Sequence, residues 1–122
     1  LILYYNNFMS NKLKGKLGEN IAKDFLVKKG FKILDTNFHY SRFGEIDIIA
    51  SKSNVIYFVE VKYRTKDTFG MPFEAITKAK LEKITSSALF YLANCPKKYN
   101  SYRLSAISIL GDKIDFIESI SI

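Results

Sequence analysis

The sequence is poor in soft metal ligands and in acidic residues. It has one cysteine, Cys95, and one histidine, His39, in 122 residues. A lone cysteine cannot close an internal disulfide, so a disulfide-stapled scaffold from an oxidising compartment is excluded. No Cys/His cluster exists to hold zinc or another soft metal. Cys95 precedes Pro96 near an expected helix end and reads as a packing residue; His39 reads as a strand or turn residue. No apolar run approaches the roughly 20 residues of a membrane-spanning helix, so no membrane partner is expected. Residues 1–8 are apolar and aromatic but lack a basic segment and a small-residue cleavage site, so they do not read as a secretory leader. The cytoplasm is the expected location. Residues 1–9 read as an N-terminal extension, with Met9 or a non-standard codon as the expected start, and residues 10–122 as one domain.

Acidic residues are outnumbered. Twelve Asp and Glu face nineteen Lys and Arg, a formal net charge of +7. An excess of that size in a small domain favours polyanionic partners such as nucleic acid or anionic lipid. The apolar share is 48%, enough for one core and too high for a disordered chain.

Apolar periodicity outlines the elements. Leu13, Leu17, Ile21 and Phe25 recur every four residues, widened by Ala22 and Leu26, after the candidate N-cap Ser10 and before Gly30; they predict a first helix over 11–29. A strand over 31–38 and a turn over 40–44 follow. Two strands over 45–50 and 55–64, joined by the polar residues 51–54, predict an antiparallel hairpin. Both are apolar on two faces, as central strands covered on both sides are. A loop over 65–73 leads to a second helix over 77–93, capped by Thr77, with Ile76, Ile84, Ala88, Tyr91 and Leu92 inward. Strands over 102–110 and 113–120 flank a Gly111-Asp112 turn. The predicted class is α/β, in the order α-β-β-β-α-β-β.

Charges interrupt the two central strands. Asp47 lies among Ile46, Ile48 and Ile49, and Glu60 and Lys62 lie within Phe58-Val59-Glu60-Val61-Lys62. Charges in covered strands are costly unless they are paired or metal-bound. Side chains alternate along a strand, so Glu45 shares a face with Asp47, and Glu60 shares one with Lys62. If paired residue numbers sum to an odd value, Asp47, Glu60 and Lys62 point the same way; a joint centred on 51–54 gives an odd sum. Asp47 then stands opposite or diagonal to Glu60, within reach of one ion. Two carboxylates and a carbonyl oxygen suit Mg²⁺ or Mn²⁺. Glu19, at the margin of the first helix's apolar arc, could complete the site. Two readings stay open on these residues: a metal site, or an internal ion network with no metal.

At these residues a resemblance enters. Gly15-Lys16-Leu17-Gly18-Glu19-Asn20-Ile21-Ala22, Gly30-Phe31-Lys32-Ile33-Leu34, Gly44-Glu45-Ile46-Asp47-Ile48-Ile49-Ala50 and Phe58-Val59-Glu60-Val61-Lys62-Tyr63-Arg64 resemble the YraN family of bacterial proteins. The resemblance continues through Phe69-Gly70-Met71-Pro72 and the helix with Lys80, Ile84 and Ala88, covering about residues 10–118. That family resembles the PD-(D/E)XK nuclease superfamily and, within it, the archaeal Holliday junction resolvases. The resemblance implies a restriction-endonuclease-like core, a mixed β-sheet flanked by helices. It implies Asp47 and Glu60 as the motif's acids and Mg²⁺ (or Mn²⁺) ligands, helped by the Val61 carbonyl, with Lys62 as its lysine. Glu19 matches the helical glutamate of the resolvases, and Glu45 an auxiliary position. In the last long strand the family reads Arg-Phe-Asp where this chain has Arg103-Leu104-Ser105. A homodimer is also implied, although the sequence shows no clear dimer stripe.

Arg42, Arg64, Lys66 and Lys80 are candidate nucleic-acid contacts, with Lys78 and Lys83 beside them; a solvated basic face is the alternative. Phe69, Met71 and Phe73 could stack on bases or pack over the second helix. Gly15 and Gly18, inside a helix, read as close-packing positions. The expected function is metal-dependent hydrolysis of nucleic-acid phosphodiester bonds, with DNA, and branched DNA in particular, as substrate. The alternatives are a catalytically silent nucleic-acid-binding module acting through a protein partner, and an interaction protein with a structural ion network.

Overall fold

A computed structural model describes residues 11–40, 42, 44–64 and 77–120. The extension 1–9, Ser10, Lys66, the loop residues Phe69, Met71 and Phe73, and Ile76 lie outside the described residues.

Helix α1 is Asn11–Lys28. It ends in a Schellman motif: Gly30 takes φ +93°, and the Phe31 amide donates to the Leu26 carbonyl at 2.9 Å. The turn delivers Phe31 into the core, edge-on to Tyr57 and Phe116. Strands β1 (Lys32–His39), β2 (Glu45–Lys52) and β3 (Val55–Arg64) form an antiparallel meander. Helix α2 (Lys78–Ala93) then crosses over to β4 (Ser101–Leu110), which lies parallel to β3. Strand β5 (Lys113–Ile117) returns antiparallel through the turn at Gly111, φ +61°. The sheet order is β1-β2-β3-β4-β5, so the sheet is mixed and the element order is the predicted one.

The two helices cover opposite faces. On one, Ala22 and Leu26 of α1 pack with Ile48, Ala50, Tyr57, Val59, Ile107 and Ile109. On the other, Ile84 and Ala88 of α2 pack with Ile46, Ile49, Ile56 and Phe58. Strands β2 and β3 are thus buried on both sides. At α2, Thr77 Oγ1 accepts the Lys80 amide at 3.1 Å, the expected cap.

Three details differ from expectation. The hairpin joint is two residues, Ser53 and Asn54, with φ of 52° and 63°. Two consecutive left-handed residues make the turn whose twist suits a hairpin, and they let Lys52 pair with Val55. On α1 the buried line is Gly18, Ala22 and Leu26, with Ile21 and Phe25 half-buried, while Leu17 is 37% and Leu13 47% exposed. A four-residue spacing drifts by about 40° per step on an α-helix, so Leu13 has rotated well away from the face that Phe25 occupies. Strand β5 ends at Ile117, short of 120. Beyond it, the Ser105 hydroxyl donates to the Glu118 carbonyl at 2.5 Å and the Ile120 amide to the Leu104 carbonyl at 2.7 Å. Ser105, at the position where the family resemblance expects an acid, is buried and spent on that contact.

Candidate active site at the fork of the central strands

The β2–β3 pairs run from Lys52↔Val55 to Ile48↔Val59, and each pair sums to the odd value that the register argument requires. One step further, Asp47 and Glu60 come opposite each other. There the sheet is irregular. The β1–β2 register passes from Phe38↔Ile46 to Thr36↔Ile48 and leaves Asn37 and Asp47 unmatched. Asn37 is left-handed, φ 53°, a conformation that asparagine tolerates better than most residues. Ile46 packs in the α2 layer and Ile48 in the α1 layer, although residues two apart on a regular strand share a face. The chain therefore turns over at Asp47.

Asp47 bridges the fork with its side chain. Its Oδ2 accepts the Val61 amide at 2.8 Å, a backbone donor at the point where the ladder stops. Burial raises the Asp47 pKa from 3.8 to about 7, and the charge of Glu60 adds to the rise. The Val61 N–H opposes it, and Glu19 and Glu45 push further upward. Three other carboxylates thus act on Asp47 at this end of the sheet.

Glu60 is 8% exposed and held by two lysines. Lys80 Nζ lies 2.7 Å from its Oε1 and Lys62 Nζ 3.5 Å from the same oxygen. Burial lowers the Lys62 pKa, as does its hydrogen bond with Lys80, and Glu60 only partly compensates. Burial alone would lower Lys80 too, but its hydrogen bonds to Glu60 and Lys62 and the charges of Glu60 and Asp47 hold it above the ordinary value. Of the adjacent ammonium groups, Lys80 keeps its proton more firmly and Lys62 releases it more readily.

A cavity of about 290 Å³ opens beside this cluster, lined by Asp47, Lys62, Val61, Glu19, Lys14 and Gly15. Glu19 reaches it from α1 because the helix packs closely on β3: a Cβ on Gly18 would stand 2.7 Å from Tyr63 Cβ. Glu45 sits at the rim. Asn37 Nδ2 donates to its Oε1 at 2.7 Å, and His39 Nε2 lies 3.5 Å from its Oε2.

The donor set suits a hard divalent cation. Asp47, Glu60 and the Val61 carbonyl offer oxygen ligands, and a cation would relieve the carboxylate repulsion felt at Asp47. Among the described residues, no three Asp, Glu, His or Cys side chains converge in a metal-binding group. A cation held by Asp47, Glu60 and the Val61 carbonyl would have two carboxylates and a carbonyl as protein ligands, fewer than Mg²⁺ takes, with the other positions open to water and phosphate oxygens.

The remaining expected residues are spread out. Arg64 closes β3, where its carbonyl accepts the Gly111 amide at 3.2 Å. Arg42 is exposed in the turn before β2, and Lys78 and Lys83 are exposed on α2. Lys80 is engaged by Glu60, a contact not foreseen from the sequence. The signal was present: Lys80 stands four residues before buried Ile84, on the inward stripe of α2, a charge at an apolar position.

Among the described residues no helix is long and apolar enough to cross a membrane. In comparisons with known proteins, the sequence model of the uncharacterised protein family UPF0102 matches residues 18–117. A UPF0102 protein of Fusobacterium nucleatum subsp. nucleatum is 41% identical over 114 residues, covering 92% of this chain and 93% of its own. One of Clostridium novyi is 44% identical over 115 residues, covering 89% and 95%. One of Thermodesulfovibrio yellowstonii is 44% identical over 105 residues, covering 86% and 92%.

Proposed function

From the premise that this chain belongs to the UPF0102 (YraN) family, we propose that the protein is a metal-dependent nuclease that hydrolyses phosphodiester bonds in nucleic acid, with DNA, and branched DNA in particular, as its substrate. The observation that carries the reading is the strand fork. Asp47, Glu60 and Lys62 gather where two otherwise apolar strands part, beside an open cavity. The basic balance of the chain and the family resemblance support nucleic acid as the substrate class.

Asp47, Glu60 and the Val61 carbonyl would hold Mg²⁺ or Mn²⁺, which when bound polarises a phosphate oxygen and acidifies an attacking water. Lys62 gives up its proton more readily than an ordinary lysine, so its amine can take a proton from that water or donate a hydrogen bond to the charged phosphorus centre. Lys80 holds the Glu60 carboxylate in place. Glu19 faces the same cavity from α1 and can orient a water. Arg42, Arg64 and Lys66 would serve as phosphate contacts, and the cytoplasm as the place of action.

The Lys80–Glu60 ion pair favours a second reading: Glu60 is already neutralised, as in a nucleic-acid-binding module without activity that works through a protein partner. Purified protein mixed with labelled junction and flap DNA separates the two. The nuclease reading expects cleavage with Mg²⁺ or Mn²⁺, abolished by Lys62→Ala while binding survives. DNA that stays intact with every divalent metal tried, although bound, would leave the binding module.

A further inference from the structure

The cavity at the fork adjoins a larger one, of about 600 Å³, between α1 and strands β1 and β2. The two share Gly15 and Glu19. The second is walled by Lys16, Asn20 and Lys23 from α1, by Thr36 and Asn37 from β1 and by Glu45 from β2. Positions 16, 20 and 23 follow one another along one helix face, so their polar ends form a row leading away from Asp47.

The two glycines of α1 have different surroundings. Gly18 is explained by packing against Tyr63. Packing does not explain Gly15: no described atom lies within 4 Å of where its Cβ would stand. A glycine inside a helix costs about 1 kcal/mol relative to alanine. Among the described residues it leaves helix surface bare where the two cavities meet. The charges along the groove are unequally engaged. Glu45 is tied to Asn37 and His39, and Glu19 faces Asp47. Lys14, Lys16 and Lys23 enter no ion pair among the described residues.

We propose that this groove is the track of one polynucleotide strand, which leaves the Asp47–Lys62 cluster, passes over the bare face of Gly15 and has its next phosphates held by Lys16 and Lys23. The proposal rests on the nuclease reading for the identity of its ligand. Continuity with the cluster and uncommitted positive charge select a phosphodiester backbone, and the missing side chain gives it room to lie against the helix.

Binding of a fluorescein-labelled four-way DNA junction by anisotropy across a salt series tests this, in an Asp47→Asn background so that the probe survives. Gly15→Leu puts a good helix former into open space. It is expected to leave the melting temperature unchanged or higher while weakening binding by about tenfold or more. Lys16→Gln with Lys23→Gln is expected to flatten the slope of log affinity against log salt by about two phosphate contacts' worth. If the Asp47→Asn parent binds the junction and both sets of variants bind as tightly with the same slope, the track is wrong and the nuclease reading stands. If the parent binds no DNA at any salt, both fall.

Discussion

Replacing Asp47 with asparagine should make the protein more stable as it removes the chemistry. The carboxyl's pKa rises from 3.8 to about 7 on folding. A carboxylic acid with a raised folded-state pKa binds more protons folded than unfolded at pH values between the two. Stability therefore falls as pH rises through that window, and the full cost is present above it. Three units at 1.36 kcal/mol each set a ceiling of about 4 kcal/mol. Solvent in the adjoining cavity and coupling to Glu60 reduce the realised cost to on the order of 1–2 kcal/mol. The substituted amide keeps a side-chain oxygen for the Val61 N–H, which Asp47 accepts at 2.8 Å, and carries no charge. At about pH 8, with metal removed by chelator, the variant should melt on the order of 5 °C above the parent protein. At about pH 5, inside the window between 3.8 and about 7, the folded carboxyl is protonated while the unfolded one is still largely ionised, so the gain should shrink to roughly a third and vanish only below 3.8. Added Mg²⁺ should raise the melting temperature of the parent and not of the variant. Differential scanning fluorimetry at the two pH values reads all three effects. A variant that melts at or below the parent near pH 8, or that gains equally at both pH values, would refute the electrostatic argument.

Two further substitutions probe the same end of the molecule. Gly18→Ala should destabilise by about 1–2 kcal/mol in chemical denaturation, because the new methyl meets Tyr63 at 2.7 Å and the clash outweighs the gain in helix propensity; an equal or higher midpoint would show that α1 can shift freely on β3. Lys80→Met removes the 2.7 Å partner of a buried carboxylate and should cost about 2–3 kcal/mol in metal-free buffer, with Mg²⁺ restoring much of it. An equal loss with and without Mg²⁺ would mean that Glu60 belongs to a structural ion pair and not to a cation site.

The fold and the charge cluster were legible for a reason that survives errors of detail. The hairpin joint was expected over 51–54 and is formed by Ser53 and Asn54. Moving the centre of a hairpin by one residue changes each pair sum by two, so every side chain keeps its face and only the partner along the strand changes. The parity that aligns Asp47 with Glu60 was robust, whereas the identity of the turn was not. On α1 the opposite held. The Leu13–Leu17–Ile21–Phe25 spacing identified a helix, but its drift around the axis hid which side faces the sheet. Lys80 was read as a phosphate contact or a solvated charge although it lies on the inward stripe with Ile84 and Ala88, because its partner Glu60 belongs to a strand whose place under that helix the sequence does not give. Asn37 was passed over because one left-handed residue leaves no periodic trace.

Stability alone does not explain how the charges are arranged at the fork. An ion network selected for folding would neutralise its most strained member. Here the two close lysines both lie on Glu60, at 2.7 and 3.5 Å. Asp47 has a single backbone donor and three carboxylates acting on it, and none of the ion pairs among the described residues includes it. Three irregularities fall at the same place, the left-handed Asn37, the unmatched Asn37–Asp47 step and the change of layer between Ile46 and Ile48, while the register shift of the β1–β2 ladder lies further along, between Ile33 and Asp35. Proteins concentrate broken local rules where function requires them. A carboxylate that no ion pair among the described residues includes, at the edge of a cavity and beside a lysine that releases its proton readily, is the arrangement that the proposed reading requires for a cation together with a phosphate.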